Sequence, residues 1–221
     1  SKPMADASVM SIYRALRTFF LWCKTKKLIS EDPMVEFKLM RPDPKEPRLA
    51  TREEVDRLLR SIPVNDWIGL RDYLIIHIIF FGALRVGELV KLEAHHFDVA
   101  GEILHVPGGK TGAGTVPMLQ ELIEAFLAFQ THRPASPEPR LLLSSDGHNA
   151  PNGALTDSGV RHMLRRRCRD AGLRNLSPHA FRHGIAMHLL NDKRVDMSLV
   201  QRILRHSSIK ITGGTYARWL I

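Results

Sequence analysis

The chain has 221 residues, with 32 Lys+Arg against 23 Asp+Glu and a formal net charge of +9. That length suits one well-cored domain, or a domain plus a fragment of another, and the basic excess favours a polyanionic partner, nucleic acid before an acidic membrane. The distant cysteines Cys23 and Cys168 exclude a disulfide framework and suit a reducing cytoplasm. The longest nearly apolar run, Tyr73 to Leu84, is too short to span a bilayer, so no membrane partner is expected. No secretory leader is read at the start of the chain.

Residues 8–29 place Ile12, Leu16, Phe19 and Phe20 at helical spacing. Ser30-Glu-Asp-Pro33 then opens a short second element. Three prolines and mixed charge between Met40 and Ala50 read as a linker. Thr51-Arg-Glu-Glu54 has capping-box spacing and opens a helix. A buried helix from Asp66 to about Gly82 follows, and Ala83 to Leu92 is a further helical segment. Between His95 and Met118 the period changes to three short strands, with a turn at Ala100-Gly101 and a glycine-rich tip from Gly108 to Gly114. The remainder returns to helix: residues 119–133, then 158–171 after a loop, then a helix opened by Ser177 and Pro178, then 197–206. The fold class is mainly α with a small three-stranded antiparallel sheet.

The helix from Ser158 to Ala171 carries five arginines against one acid, Asp170, and Arg161, Arg165 and Arg169 recur every four residues as one stripe. Such a stripe suits phosphate neutralisation as well as a solvated face. Gly108-Gly-Lys-Thr-Gly112 invites a nucleotide-binding reading, but the phosphate-loop pattern needs glycine where Leu104 stands. A hairpin tip carrying Lys110 fits better. His179 and His183 are four apart, yet the zinc-helix pattern wants glutamate where Ala180 stands, and no third ligand is evident. His95, His96, His105 and His188 read as surface or packing residues. Ser177 as N-cap and Pro178 at the first helical position put His179 and Arg182 on one face of the first turns, where the helix dipole is already positive. An anion there accounts for the arrangement.

Together these segments resemble the tyrosine recombinase family, the phage-integrase type of site-specific DNA recombinase, in order over residues 48–221. "GALRVGELVKL" resembles the first arginine box, which implies Arg85 as a phosphate-binding arginine and Glu88 as its acidic support. "VPGGKTGAGTVPM" resembles the hairpin with the catalytic lysine, here Lys110. "HAFRHGIAMHLL" resembles the His-x-x-Arg box, giving His179 and Arg182 with His183 beside them, and "VQRILRHSSIKIT" gives His206. Tyr216 takes the nucleophile's place. Residues 1–41 resemble the end of a helical core-binding domain, residues 42–50 a linker, and residues 51–221 the catalytic domain. Arg205 stands where the family has glycine, implying either an altered backbone or an added phosphate contact. Gly184 replaces a common threonine, read as a mild change.

The resemblance implies attack of the Tyr216 oxygen on a DNA phosphodiester and a covalent 3′-phosphotyrosine intermediate. Free tyrosine has a pKa of about 10 and needs a base and a positive field. Arg85 and Arg182 are the implied clamps on the non-bridging oxygens, with His206 as a further donor. His179 is the implied base and Lys110 the general acid for the leaving 5′-oxygen. Neither metal, ATP nor another cofactor is required. The implied partners are double-stranded DNA, a homo-tetramer on paired sites and accessory DNA-binding proteins, and the implied place is the nucleoid in the cytoplasm. The alternatives are a catalytically silent DNA-binding relative, a topoisomerase-like strand-cleaving enzyme and, more distantly, a metallohydrolase.

Overall fold

The computed structural model describes residues 6–37, 49–109, 112–146 and 149–205. The chain divides into two units, residues 1–46 and 47–221.

In the first unit, α1 spans Asp6–Thr25. Phe19 and Trp22 stack with ring centroids 6.3 Å apart and each stays about half exposed, at 54% and 51%. Tyr13 donates its hydroxyl hydrogen to the Phe37 carbonyl at 2.6 Å, folding the following segment back along the helix. Among the described residues the second element expected from Ser30 does not form, since residues 30–37 are turns and bends. The Asp32 carboxylate accepts the Met34 N–H at 2.9 Å, a local turn that competes with helix, and Pro33 brings no N–H.

In the second unit, α2 (Arg52–Ser61) opens with the Thr51–Glu54 capping box complete in both directions. Glu54 also accepts from Arg174 at 2.8 and 2.9 Å, tying α2 to a distant loop. The next helix, α3 (Trp67–Phe80), is capped by Asp66 and buried on nearly all sides. Its Leu74, Ile75, Ile78 and Phe80 form the core with Phe129 and Phe181. Burial all round explains why its apolar residues follow no single stripe.

The segment after α3 is less helical than its sequence suggests, since α4 spans only Val86–Leu89. Ala83 sits at φ 49°, in the left-handed region, which breaks the helix path. Arg85 is extended at φ −73°, ψ 147°, and caps α4 from outside. A 3₁₀ turn (Ala94–His96) leads to the three-stranded antiparallel sheet: β1 (Phe97–Asp98), β2 (Ile103–Gly109) and β3 (Gly112–Pro117), in that order. The register pairs Leu104 with Val116, and both point into the core. The expected turn is present, with the Gly101 N–H on the Asp98 carboxylate at 2.9 Å.

After α5 (Gln120–His132) comes an unanticipated antiparallel pair, β4 (Leu143–Ser145) and β5 (Pro151–Ala154). These strands are too short to show a period, and Pro151 and Gly153 disguise the second one. Then follow α6 (Asp157–Asp170), α7 (Pro178–Met187), a π turn (His188–Asp192) and α8 (Met197–Leu204). Among the described residues, no helix is long and apolar enough to cross a membrane.

Candidate functional site

α7 begins as its sequence dictates. Ser177 is extended, its hydroxyl accepts the Ala180 N–H, and Pro178 occupies the first turn. This start leaves His179 exposed and turns Arg182 inward, where it is only 4% exposed. The Arg182 Nη1 donates to the Ala83 carbonyl and Nη2 to the Leu204 carbonyl. One guanidinium therefore ties α7 to the segment entering Arg85 and to the end of α8. Left-handed Ala83 is what opens the chain there between α3 and α4.

Two residues beyond Ala83, Arg85 and Glu88 form an interlocked pair. The Glu88 Oε2 accepts the Arg85 backbone N–H at 2.8 Å, and Oε1 accepts Arg85 Nη1 at 3.2 Å. Arg205, from the end of α8, donates Nη2 to Glu88 Oε2 at 2.7 Å. Glu88 is buried. Burial alone would raise its pKa, but the Arg85 amide and the Arg205 and Arg85 guanidiniums outweigh it and hold the carboxyl below the ordinary value of 4.5. Glu88 is thus a shared acceptor that sets the attitude of two cations.

Arg85, Glu88 and Arg205 are in direct contact, and Arg182 joins them through the chain, by the carbonyls of Ala83, two residues before Arg85, and Leu204, one before Arg205. His183, one residue beyond Arg182, is half-buried; burial first, then His179 and Arg182, pull its pKa below 6.5 and keep it neutral at physiological pH. Lys110, His206 and Tyr216 lie outside the described residues. β2 and β3 end on either side of Lys110, and α8 ends at Leu204, one residue before Arg205. The guanidiniums of Arg182 and Arg205 are largely buried and that of Arg85 is partly exposed, and a cation withdrawn from water attracts an anion more strongly than one in it. Among the described residues, no group of three or more His, Cys, Asp or Glu is placed to hold a metal ion.

The arginines of α6 divide into two sets. Arg167 is largely buried and Arg166 stays partly exposed, and both reach Asp72 Oδ2 at 2.9 Å. Arg71 donates to Asp72 Oδ1 at 3.0 and 2.7 Å, and to the Leu143 carbonyl at 2.7 Å. Asp72 is fully buried, so a single carboxylate anchors α6 to α3 and, through Arg71, to β4. Arg161, Arg165 and Arg169 stay exposed as the stripe requires. Arg161 pairs with Asp157 at 3.2 Å and Arg169 with Asp170 at 3.5 Å, and Arg165 forms no ion pair among the described residues. Arg165 and Arg169 line a concavity of about 540 Å³ together with Arg71, His162 and Arg166.

Three features escaped sequence reasoning. The Arg205–Glu88 pair spans 117 positions and follows no local period. The Asp72 hub had one visible cue, an Arg-Asp pair inside an apolar run. Gly184, read as a mild change, is not mild: a Cβ there would lie 2.0 Å from the Ala50 carbonyl oxygen. The chain at Ala50 runs across α7 at that point and donates its N–H to the Ala180 carbonyl at 2.9 Å. A glycine inside a helix was the available signal.

Comparison with known proteins agrees with this architecture. The family model described as "Phage integrase family" matches residues 48–220. A tyrosine recombinase XerC of Pelotomaculum thermopropionicum is 26% identical over 218 residues, covering 95% of this chain and 70% of that protein. A tyrosine recombinase XerD of Pseudomonas putida is 29% identical over 217 residues, covering 96% and 70%. In fold, the chain resembles a Tn1549 transposon integrase solved in complex with a circular intermediate DNA, with a TM-score of 0.79 at 20% identity, over 96% of this chain and 75% of that one. It also resembles the XerA recombinase, with a TM-score of 0.65 at 23% identity, over 92% and 69%. By the family match over most of its length, and with the arginine boxes joined as described, the chain belongs to the phage integrase family of tyrosine recombinases.

Proposed function

We propose that this protein is a site-specific DNA recombinase that cleaves and rejoins double-stranded DNA through a covalent 3′-phosphotyrosine bond. The observation that carries the reading is the Arg182 bridge, which joins the arginine of α7 to the segment of Arg85 and to the residue two before His206. The relatives named above, recombinases and an integrase held on DNA, support the same reading.

In the reaction, the Tyr216 oxygen attacks a backbone phosphorus and its proton passes to His179. The bond from phosphorus to the 5′-oxygen breaks, and that oxygen takes a proton from Lys110. Arg85, Arg182 and His206 stabilise the charge that grows on the non-bridging oxygens. The phosphodiester energy is kept in the tyrosyl bond, so a 5′-hydroxyl from another strand reverses the attack without ATP. Arg161, Arg165 and Arg169 supply phosphate contacts along the duplex, and strand exchange takes place in a homo-tetramer on paired sites.

The test uses a pool of 5′-end-labelled duplexes with a randomised centre and a single nick. The wild type is expected to retain label after denaturation in detergent, and Tyr216→Phe to retain none. Salt-sensitive binding with no adduct identifies instead a silent DNA-binding relative. Relaxation of any supercoiled plasmid, without strand transfer between sites, identifies a topoisomerase-like enzyme.

A further inference from the structure

We propose that Arg205 is a positioning residue of the cleavage site, an ionic latch that sets Glu88, and through it Arg85, while seating β3 against the end of α8. The inference rests on the cleavage reading above. Arg205 caps α8 at φ 49°, ψ 49°. A residue with a Cβ is disfavoured in that left-handed conformation, where glycine is the usual choice. The local backbone thus gives no reason for arginine, and the reason lies in its side chain.

That side chain is 12% exposed and meets Glu88, itself 5% exposed, at 2.7 Å. Its stem packs on β3: a Cβ added to Gly114 would lie 3.1 Å from Arg205 Cδ. A glycine within a strand marks such a close approach. Arg205 therefore touches the element after the hairpin tip and the carboxylate that orients Arg85. Its neighbour Leu204 holds Arg182. Nε and Nη1 of Arg205 are buried with no hydrogen-bond partner among the described residues, so the Glu88 bond is the contact that directs the group.

The electrostatics give the latch its purpose. Glu88 accepts from the Arg85 amide and guanidinium and from Arg205. With Arg205 sharing the carboxylate, Arg85 keeps more of its charge for a phosphate. Without Arg205, the buried carboxylate has Arg85 as its remaining cation in this contact set and draws it inward. Arg205 acts on the reaction through Glu88 and not by holding DNA itself.

The test compares Arg205→Gly, Arg205→Lys, Glu88→Gln and the double variant Arg205→Gly/Glu88→Gln in the full chain, on the nicked duplex pool. Arg205→Gly suits the left-handed backbone, which offsets part of the cost of leaving Glu88 with one cation fewer, and far-UV circular dichroism checks that it is folded. Its adduct rate is expected to fall about tenfold, within the range of coupling between contacting residues, while the DNA half-saturation concentration moves less than about threefold. Arg205→Lys should recover part of the rate. Removing the Glu88 charge in the Arg205→Gly background should raise the rate, which a purely structural role would not produce.

A wild-type rate in Arg205→Gly overturns the proposal. So does a loss of binding equal to the loss of rate, which makes Arg205 a direct phosphate contact, and so does additivity in the double variant. If the wild type itself forms no adduct, the cleavage reading fails, and amide exchange then decides the latch. Faster exchange at residues 86–89 and 112–117 in Arg205→Gly supports it, and unchanged exchange overturns it.

Discussion

One guanidinium, that of Arg182, donates to the carbonyl oxygens of both Ala83 and Leu204, which lie 99 and 22 positions away in the chain. Buried backbone carbonyls need donors, and an arginine with two rigid edges supplies them while keeping its charge. The same side chain that assembles the site is thereby the one proposed to act in it.

Replacing Arg182 should separate these duties. Arg182→Ala leaves the two carbonyls without their donor and is expected to cost about 1–3 kcal/mol in urea unfolding. Its adduct rate should fall by about 10²–10³, the usual loss for one transition-state donor. Arg182→Lys keeps the charge but loses the fork, and should sit between wild type and alanine in both measurements. Loss of stability with an unchanged rate in the folded fraction contradicts the clamp.

Gly184→Ala places a methyl 2.0 Å from the Ala50 carbonyl oxygen, which is backbone and cannot swing aside. The residue before α2 must move or α7 must tilt. Destabilisation of about 1–3 kcal/mol, the range for overpacking, is expected in thermal or urea unfolding. An unchanged midpoint contradicts the close approach.

The two sets of α6 arginines should respond to opposite measurements. Arg165→Gln should leave stability within about 0.5 kcal/mol and reduce the slope of log affinity against log salt by about 1. Asp72→Ala removes the acceptor shared by Arg71, Arg166 and Arg167 and should cost about 3–5 kcal/mol of stability, as breaking one side of a buried ionic cluster does. Equal effects of both changes on salt dependence contradict the division.

Acidification should weaken the fold through histidines held neutral. Burial is the leading cause that lowers the pKa of His77, His96 and His183 from 6.5. His96 also uses its Nδ1 to accept the Glu93 N–H at 2.9 Å, which a protonated ring cannot do. Below pH 6.5 the unfolded chain takes up protons that the folded chain refuses, so stability is full above that pH and falls beneath it. Glu88, with its carboxyl held below 4.5, adds a second loss as pH drops under that value. Denaturation midpoints between pH 8 and pH 4 check the order of these losses; a flat profile down to pH 5 contradicts the histidine component.

What could be read from the sequence was what is local. The Thr51–Glu54 box, the Ser177-Pro178 start and the turn near Gly101 each rest on residues within a few positions, and each formed. The spacing of His179 and Arg182 puts them on one face, yet the structure leaves His179 exposed and buries Arg182, because its guanidinium turns to the Ala83 and Leu204 carbonyls. The limits came from long-range packing. The break at Ala83 goes with a contact of its carbonyl to Arg182, 99 positions away, which alanine's own preference for helix does not foretell. Phe19 and Leu16 of α1 have helical spacing, yet spacing alone does not bury them. At Arg205 the sequence allows an altered backbone or an added phosphate contact; the backbone lies in the left-handed region usual for glycine, and the side chain turns to Glu88, 117 positions away.

The most direct measurement of the central claim is to identify the atom that joins protein to DNA. Adduct formed on the nicked duplex pool is digested with protease and nuclease, and the nucleotide-bearing peptide is sequenced by mass spectrometry. The account predicts one modified site, Tyr216, joined to a 3′-phosphate, with yield falling at least about 10²-fold in Arg85→Ala and Arg182→Ala. A link to any other side chain, a 5′-phosphate at the junction, or full yield without both arginines would contradict it.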